Sequence, residues 1–241
     1  MTKNFAHRGF RARYPENTLL AFSKALEAGC DGIELDVQLS LDGEIVIIHD
    51  ETVDRTTDGS GFVKDLTLAQ LKALDAGSGE MIPLLSEYLD LVEDSGVLTN
   101  IELKNDMIRY EGLEEQVIAM VRRRGLVGQV IISSFSHESV NLVKSLAPEI
   151  ACGYLVSSSQ RPVDWEAIAA SMLLHGIEFI HPDVRLVDEG FLAMAGRHGI
   201  PFGVWTVNDA AIMQRLIDQR AYSVFTDDPA LFNEVRGAAG N

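Results

Sequence analysis

The chain reads as an α/β protein, a TIM (β/α)8 barrel in one domain over residues 1–241. Three observations carry this. Short β-rich runs alternate with helix-length amphipathic segments, the pattern of a parallel sheet covered by helices. The 241 residues lie near the ~250 typical of such a barrel, and 46% are apolar, ample for its core. Carboxylates also sit inside apolar runs that read as strands, Gly32–Val37 and Leu98–Lys104, where charge is costly without a partner.

Taken in order, the β-like runs are Asn4–His7, Gly32–Val37, Glu44–His49, Leu98–Lys104, Gln129–Ser133, Ile150–Leu155, Glu178–His181, Pro201–Val207 and Tyr222–Thr226. The clearest helical patterns are Asn17–Ala28, Thr67–Leu74, Leu84–Glu93, Leu113–Arg124, His137–Leu146, Asp164–His175, Asp188–His198 and Asp209–Arg220. Several begin at Asn or Asp and end at Gly29, Gly125, Gly176 or Gly199, as helix capping predicts. Nine strand runs are one too many for the barrel. Only Gln38–Gly43 separates Val37 from Glu44, too short for a parallel crossover. Asp42-Gly43 signals a type I′ turn, so Glu44–His49 is expected as an antiparallel hairpin arm. A two-residue turn sets Leu41 against Glu44 and Asp36 opposite His49. Residues 50–97 form the longest interval between barrel strands. Loop-rich Thr56–Gly61 and two short helices around Pro83 read as a small insertion over the strand ends. The small residues of Arg236–Asn241 predict a frayed end.

The formal net charge of −16 repels polyanions, so nucleic acid and anionic membrane are poor partners. An anionic substrate would need a local positive site. Two cysteines, Cys30 and Cys152, give no disulfide framework and read as packed thiols. The first residues lack a signal h-region, and no apolar run approaches a membrane span. A cytoplasmic protein without stable membrane insertion is expected; a homo-oligomer is left open.

Chemistry in a parallel barrel gathers at the C-terminal strand ends. Residues i and i+2 of a strand share a face, so Glu34 projects with Asp36, and Glu102 with Lys104. Strand ends also carry His7-Arg8-Gly9, His49-Asp50, Ser133-Ser134-Phe135, Tyr154, His181-Pro182-Asp183, Trp205-Thr206 and Thr226-Asp227. Three convergent carboxylates without a matching surplus of arginine point to a bound divalent cation. Lys104 is then a candidate for the anionic end of a substrate. Salt bridges at Glu34 and Asp36, or a structural Glu102–Lys104 pair, are the alternatives. Trp205 is either core or pocket wall. His137, His175 and His198 lie at helix ends, where caps or dipole partners are expected.

These motifs, with Pro15-Glu16-Asn17-Thr18, Asp42-Gly43, Thr56-Thr57 and Trp205-Thr206-Val207-Asn208, resemble the glycerophosphodiester phosphodiesterases along nearly the whole chain and in the family's order. The resemblance implies a metal-dependent hydrolase that releases glycerol 3-phosphate and an alcohol from a small-molecule diester. Glu34, Asp36 and Glu102 would hold Mg²⁺ or Ca²⁺, and His7 and His49 would form an acid/base pair. Arg8 and Lys104 would contact phosphate, with Trp205 as a further substrate contact. Two departures stand out: His181-Pro182 where the family commonly has Asn-Pro, and a freer approach over Ala76–Pro83. A lysophospholipase D or a cyclising lyase would use the same residues. A metal- or phosphate-binding barrel without turnover is disfavoured because it needs no histidine pair.

Overall fold

The computed structural model describes residues 1–238. Its strands are β1 (Lys3–His7), β2 (Gly32–Leu39), β3 (Ile45–Ile47), β4 (Leu98–Leu103), β5 (Val130–Ser134), β6 (Ala151–Val156), β7 (Phe179–Pro182), β8 (Gly203–Val204) and β9 (Ser223–Thr226). Eight of them run parallel in the order β7-β6-β5-β4-β2-β1-β9-β8. Parallel bridges Ile180–Phe202 and Asp183–Trp205 join β7 to β8 and close the barrel. The helices are α1 (Leu19–Glu27), α2 (Leu68–Lys72), α3 (Leu85–Val92), α4 (Leu113–Arg123), α5 (His137–Leu146), α6 (Trp165–His175), α7 (Glu189–His198), α8 (Ala210–Asp218) and α9 (Pro229–Ala238).

Local chemistry explains the boundaries. Thr18, Ser136, Asp164, Asp188 and Asp209 each accept a backbone N–H at a helix start. The expected strand Pro201–Val207 shortens to β8. The sequence reading did not foresee α9. Its signal was Asp228-Pro229: Asp228 Oδ1 accepts from Ala230 N and Leu231 N, and proline suits a first helical position. The expected fraying from Arg236 is corrected, because Arg236 pairs with Asp31 and donates to Asn233 at 2.8 Å. Residues 239–241 of that expectation lie outside the described residues.

Side chains alternate across each strand. Ile33, Leu35, Val37, Ile101, Leu103 and Ile132 point outward into the core under the helices. Phe5, Ile131 and Phe225 fill the barrel interior. The Phe5 ring lies over Gly32, where an added Cβ would sit 2.5 Å from it. Gly32→Ala should therefore cost about 1–3 kcal/mol, as overpacking does. A urea midpoint equal to wild type would contradict this packing.

β3 pairs antiparallel with β2, as expected of the hairpin arm, but in a different register. Val37 faces Ile47, and Ile48 rather than His49 lies across from Asp36, its N–H donating to Asp36 O at 3.0 Å. The turn holds three residues, Leu41-Asp42-Gly43, with Gly43 at φ 83°. Ser40 Oγ both donates to Asp42 and accepts from Glu44 N, which favours the longer loop. The strand itself ends at Ile47, one residue before the last backbone bond to β2, that of Ile48. Beyond it, Gln38 Nε2 donates to the carbonyls of Ile48, His49 and Asp50 and steers the chain over the strand ends.

The two short helices around Pro83 have separate homes. Leu71 of α2 joins Val46, Ile48, Val53, Val63, Ala76 and Ile82 in a small satellite core. Leu85, Tyr88, Leu89 and Val92 of α3 pack into the main core. No helix among the described residues is long and apolar enough to cross a membrane.

Candidate active site

Parallel pairing sets His7 beside Glu34, and Asp36 beside Glu102, at one end of the barrel. Each of Glu34, Asp36 and Glu102 offers a carboxylate oxygen within 4.8 Å of the others', and all three are buried. Burial, reinforced by Asp36 and Glu102, pushes Glu34 well above the usual carboxylate range. Burial also raises Glu102, against the pull of Lys104. For Asp36 burial acts upward too, but Arg8, His49 and Lys104 together hold it low. Asp36 Oδ1 is buried without a hydrogen-bond partner among the described residues. A crowded, oxygen-only set with an orphaned carboxylate oxygen fits a hard divalent cation.

Two cations border this cluster. Arg8 Nη1 donates to Glu16 Oε1 at 2.9 Å, and its Nε lies 3.4 Å from Asp36 Oδ2. Arg8 adopts φ 56° and Asn17 φ 57°. That left-handed conformation is unfavourable for arginine and clusters at functional sites. It lets Arg8 N donate to Glu34 Oε2 at 2.9 Å, while Asn17 Nδ2 donates to Asp36 Oδ2 at 2.9 Å. Lys104 Nζ donates to Glu102 Oε1 at 2.9 Å and lies 4.0 Å from Asp36 Oδ1.

Each histidine has a carboxylate on Nδ1. His7 meets Asp227 Oδ1 at 2.7 Å, and His49 meets Asp50 Oδ1 at 2.6 Å. Lys104 Nζ stands 3.3 Å from His49 Nε2. An ammonium can only donate, so His49 is assigned the tautomer with its proton on Nδ1 and the lone pair on Nε2. Burial lowers the His7 pKa, against the opposing hydrogen bond that Asp227 accepts.

A cavity of about 500 Å³ is lined by His7, Arg8, Glu34, His49, Glu102, Lys104 and Trp205. Asp36 lies just behind this wall. The expected site residues thus gather in one place. Trp205 stacks edge-on against Phe135 and donates from Nε1 to His181 O at 2.7 Å. Tyr154, expected at the mouth, instead turns outward and bonds Asn141 and Ser171. His137 is also no simple cap: it stacks on Tyr154 at 3.9 Å, and its Nε2 bonds Leu155 O. The sequence reading gave no role to Asp50 or Asp227. Their signal was adjacency to His49 and to a strand end.

His181 also lines the cavity, and neither of its ring nitrogens is hydrogen-bonded among the described residues. Gly153 and Gly203 flank it; a Cβ on either would come within 2.9 or 3.2 Å of the ring. Burial lowers its pKa to about 3. The unfolded chain protonates this group below about 6.5 while the folded protein does not. Its contribution to stability is therefore full above that pH and is lost as pH falls toward 3. At pH 4.5 the loss is roughly 2–3 kcal/mol. His181→Met should flatten the fall in urea midpoint between pH 7 and 4.5; an unchanged pH dependence would contradict the assignment.

Two carboxylate-backed histidines beside an acidic cluster and two cations suit the breaking of an ester of phosphoric acid, so fold and site together define a barrel phosphodiesterase. The family is more specific. The chain belongs to the glycerophosphoryl diester phosphodiesterase family, whose model matches residues 7–231. It is 42% identical over 239 residues to a glycerophosphodiester phosphodiesterase of Caldanaerobacter subterraneus subsp. tengcongensis, covering 96% of each chain. An Oleispira antarctica phosphodiesterase, solved in complex with the product sn-glycerol-3-phosphate, superposes with a TM-score of 0.83 at 33% identity, covering 97% of this chain and 96% of that one. An Agrobacterium tumefaciens glycerophosphodiester phosphodiesterase superposes with a TM-score of 0.82 at 30% identity, covering 97% of this chain and 100% of that one.

Proposed function

We propose that this chain hydrolyses glycerophosphodiesters to glycerol 3-phosphate and an alcohol. In this reading Glu34, Asp36 and Glu102 hold Mg²⁺ or Ca²⁺. His7 and His49 divide the acid and base roles, and Arg8, Lys104 and Trp205 contact substrate. The observation that carries it is that two histidines, each with a carboxylate on Nδ1, open on the same cavity as Glu34 and Glu102. Oxygen-only donors favour Mg²⁺ or Ca²⁺ over zinc.

When bound, the cation supplies charge that polarises the phosphoryl oxygens. Arg8 and Lys104 add donors to those oxygens as charge develops. The Nδ1 partners leave Nε2 of each imidazole for proton transfer. One histidine removes the proton of the attacking hydroxyl; the other protonates the departing alcohol oxygen. A neighbouring glycerol hydroxyl is a ready nucleophile, since intramolecular attack gains from proximity. The resulting cyclic phosphate is opened by water with the proton roles reversed. The net charge of −16 supports a small-molecule substrate over nucleic acid, and the unpaired Cys30 and Cys152 support a cytoplasmic setting.

The test is direct. The protein is incubated with glycerophosphocholine, glycerophosphoethanolamine and glycerophosphoglycerol, with and without chelator, and glycerol 3-phosphate is assayed. Release that chelator abolishes is expected. Release from none of the three would overturn the reading, and cyclic phosphate as the end product would reassign it to a lyase.

Lys104→Met separates phosphate contact from a plain ion pair. Loss of one preorganised donor should lower turnover by ~10²-fold or more. With cation loaded, the melting temperature should stay near wild type, because the cation also neutralises Glu102 and Asp36. A large fall in melting temperature with unchanged turnover would favour the plain pair.

A further inference from the structure

The carboxylates that hold the two histidines are themselves held, and the groups holding them meet at Glu16. Arg55 donates from Nε to Asp50 Oδ2 at 2.6 Å and from Nη2 to Asp50 Oδ1 at 3.0 Å. The same guanidinium donates from Nη1 to Glu16 Oε2 at 3.0 Å and from Nη2 to Glu16 Oε1 at 2.7 Å. Arg11 Nε lies 3.2 Å from Glu16 Oε2, while its Nη1 lies 3.7 Å from Asp227 Oδ1. Arg8 completes the set on Glu16 Oε1. Three guanidinium groups thus converge on a side chain that is 10% exposed. Although burial alone would raise its pKa, Arg55, Arg8 and Arg11 bring the Glu16 carboxyl down to about 2. It stays ionised through the working range of any histidine.

Resting on the phosphodiesterase reading of the site, we propose that Arg55 and Glu16 are positioning residues. Together they clamp the Asp50 carboxylate and thereby hold the His49 imidazole in its Nδ1–H tautomer. Asp50 lies beyond the last paired residue of β3, and its side chain is 29% exposed. No strand pairing fixes it. Arg55 comes from the segment after β3 and Glu16 from the loop after β1, so the clamp ties two loops together above the strand ends. The Arg55 side chain is 45% exposed, and an ion pair so placed adds little to stability. Four N–H contacts on two carboxylates instead define orientation, because the guanidinium is a rigid planar fork. Lysine, with one ammonium on a flexible stem, cannot reproduce that fork. The His7 side depends less on Glu16, since Asn208 Nδ2 donates to Asp227 Oδ2 at 2.7 Å.

The test uses the full chain with Arg55→Met, Arg55→Lys, Glu16→Gln, His49→Ala and the double variant His49→Ala/Arg55→Met. Two readouts are taken: steady-state kinetics, and ¹⁵N NMR of the His49 imidazole, which reports the tautomer without turnover. Loss of a group that orients another typically costs 10–100-fold. Both Arg55 variants should lower kcat by about tenfold with KM within about twofold, and Glu16→Gln should follow in the same direction. In the His49→Ala background Arg55→Met should add nothing, because its effect passes through the missing ring. Because the Lys104 ammonium on Nε2 also favours the Nδ1–H tautomer, the spectra are compared in Lys104→Met, which should keep one His49 tautomer, and in Lys104→Met/Arg55→Met, which should show an average of two. A single Nδ1–H tautomer retained in Lys104→Met/Arg55→Met overturns the proposal. So does full turnover in Arg55→Lys, or an equal loss with and without His49. If wild type releases no glycerol 3-phosphate, the phosphodiesterase reading fails and the tautomer alone decides the positioning role.

Discussion

Replacing His7 or His49 by alanine is expected to lower turnover by at least ~10²-fold, the low end for general acid–base catalysis. Both rings line the cavity beside Glu34 and Glu102, and both have their Nδ1 taken by a carboxylate. Only Nε2 is left to move a proton. The two variants should differ in a second respect. A diester with a very acidic leaving alcohol needs little protonation as it departs. Such a substrate should partly rescue the variant that lost the acid and leave the other impaired. The structure allows either order. The lone pair on His49 Nε2 favours a base in the resting state, but that atom also faces Lys104. The measurement is kcat for each variant on two diesters that differ only in the leaving group. Equal rescue of both variants, or of neither, would falsify the division of labour while leaving the family assignment untouched.

Removing the cation should have the largest effect, because it acts on every charged step at once. Chelation is expected to lower turnover by ~10³-fold or more, as metal polarisation is worth several kcal/mol and each 1.4 kcal/mol is tenfold. Glu34→Ala should match that loss in the presence of saturating Mg²⁺ or Ca²⁺. A readout without substrate follows from linkage. A ligand that binds the folded state raises its stability by RT ln(1 + [L]/Kd), about 2.7 kcal/mol at a hundred times Kd. The buried, mutually repelling Glu34, Asp36 and Glu102 should therefore give the wild type a melting temperature that climbs with added cation. Glu34→Ala should lose that climb. A wild type whose melting temperature ignores both ions, or a Glu34→Ala variant with full cation-dependent turnover, would remove these carboxylates from metal binding.

Much of this site is legible before folding because it obeys strand geometry. The period of two places Glu34 with Asp36 and Glu102 with Lys104. A parallel barrel then brings both pairs to one end, where Asp36 and Glu102 are directly paired. The hairpin is readable from length alone, since six residues cannot make a parallel crossover. The high cost of buried charge shows that the carboxylates need partners, a need that a salt bridge would meet as well as a cation. Its register is not readable in the same way. One extra turn residue, favoured by the Ser40 hydroxyl, moves Ile48 into the place expected for His49. His49 still reaches the cavity because Gln38 gathers three carbonyls beyond the last paired residue.

Sequence by itself determined the barrel, the fold-back of β3, and the carboxylates, histidines and cations that converge on one mouth. Only the tertiary structure decided which groups hold them. Asp227 meets His7 across 220 positions, and Arg55 meets Glu16 across 39. Local periodicity encodes the direction in which a side chain leaves its own strand, and that direction is set within a few residues by backbone sterics. Contacts between loops depend on how separate segments pack above the strand ends. No short-range pattern records that packing, so Asp50, Asp227, Glu16 and Arg55 stood in plain view in the chain without showing what they hold.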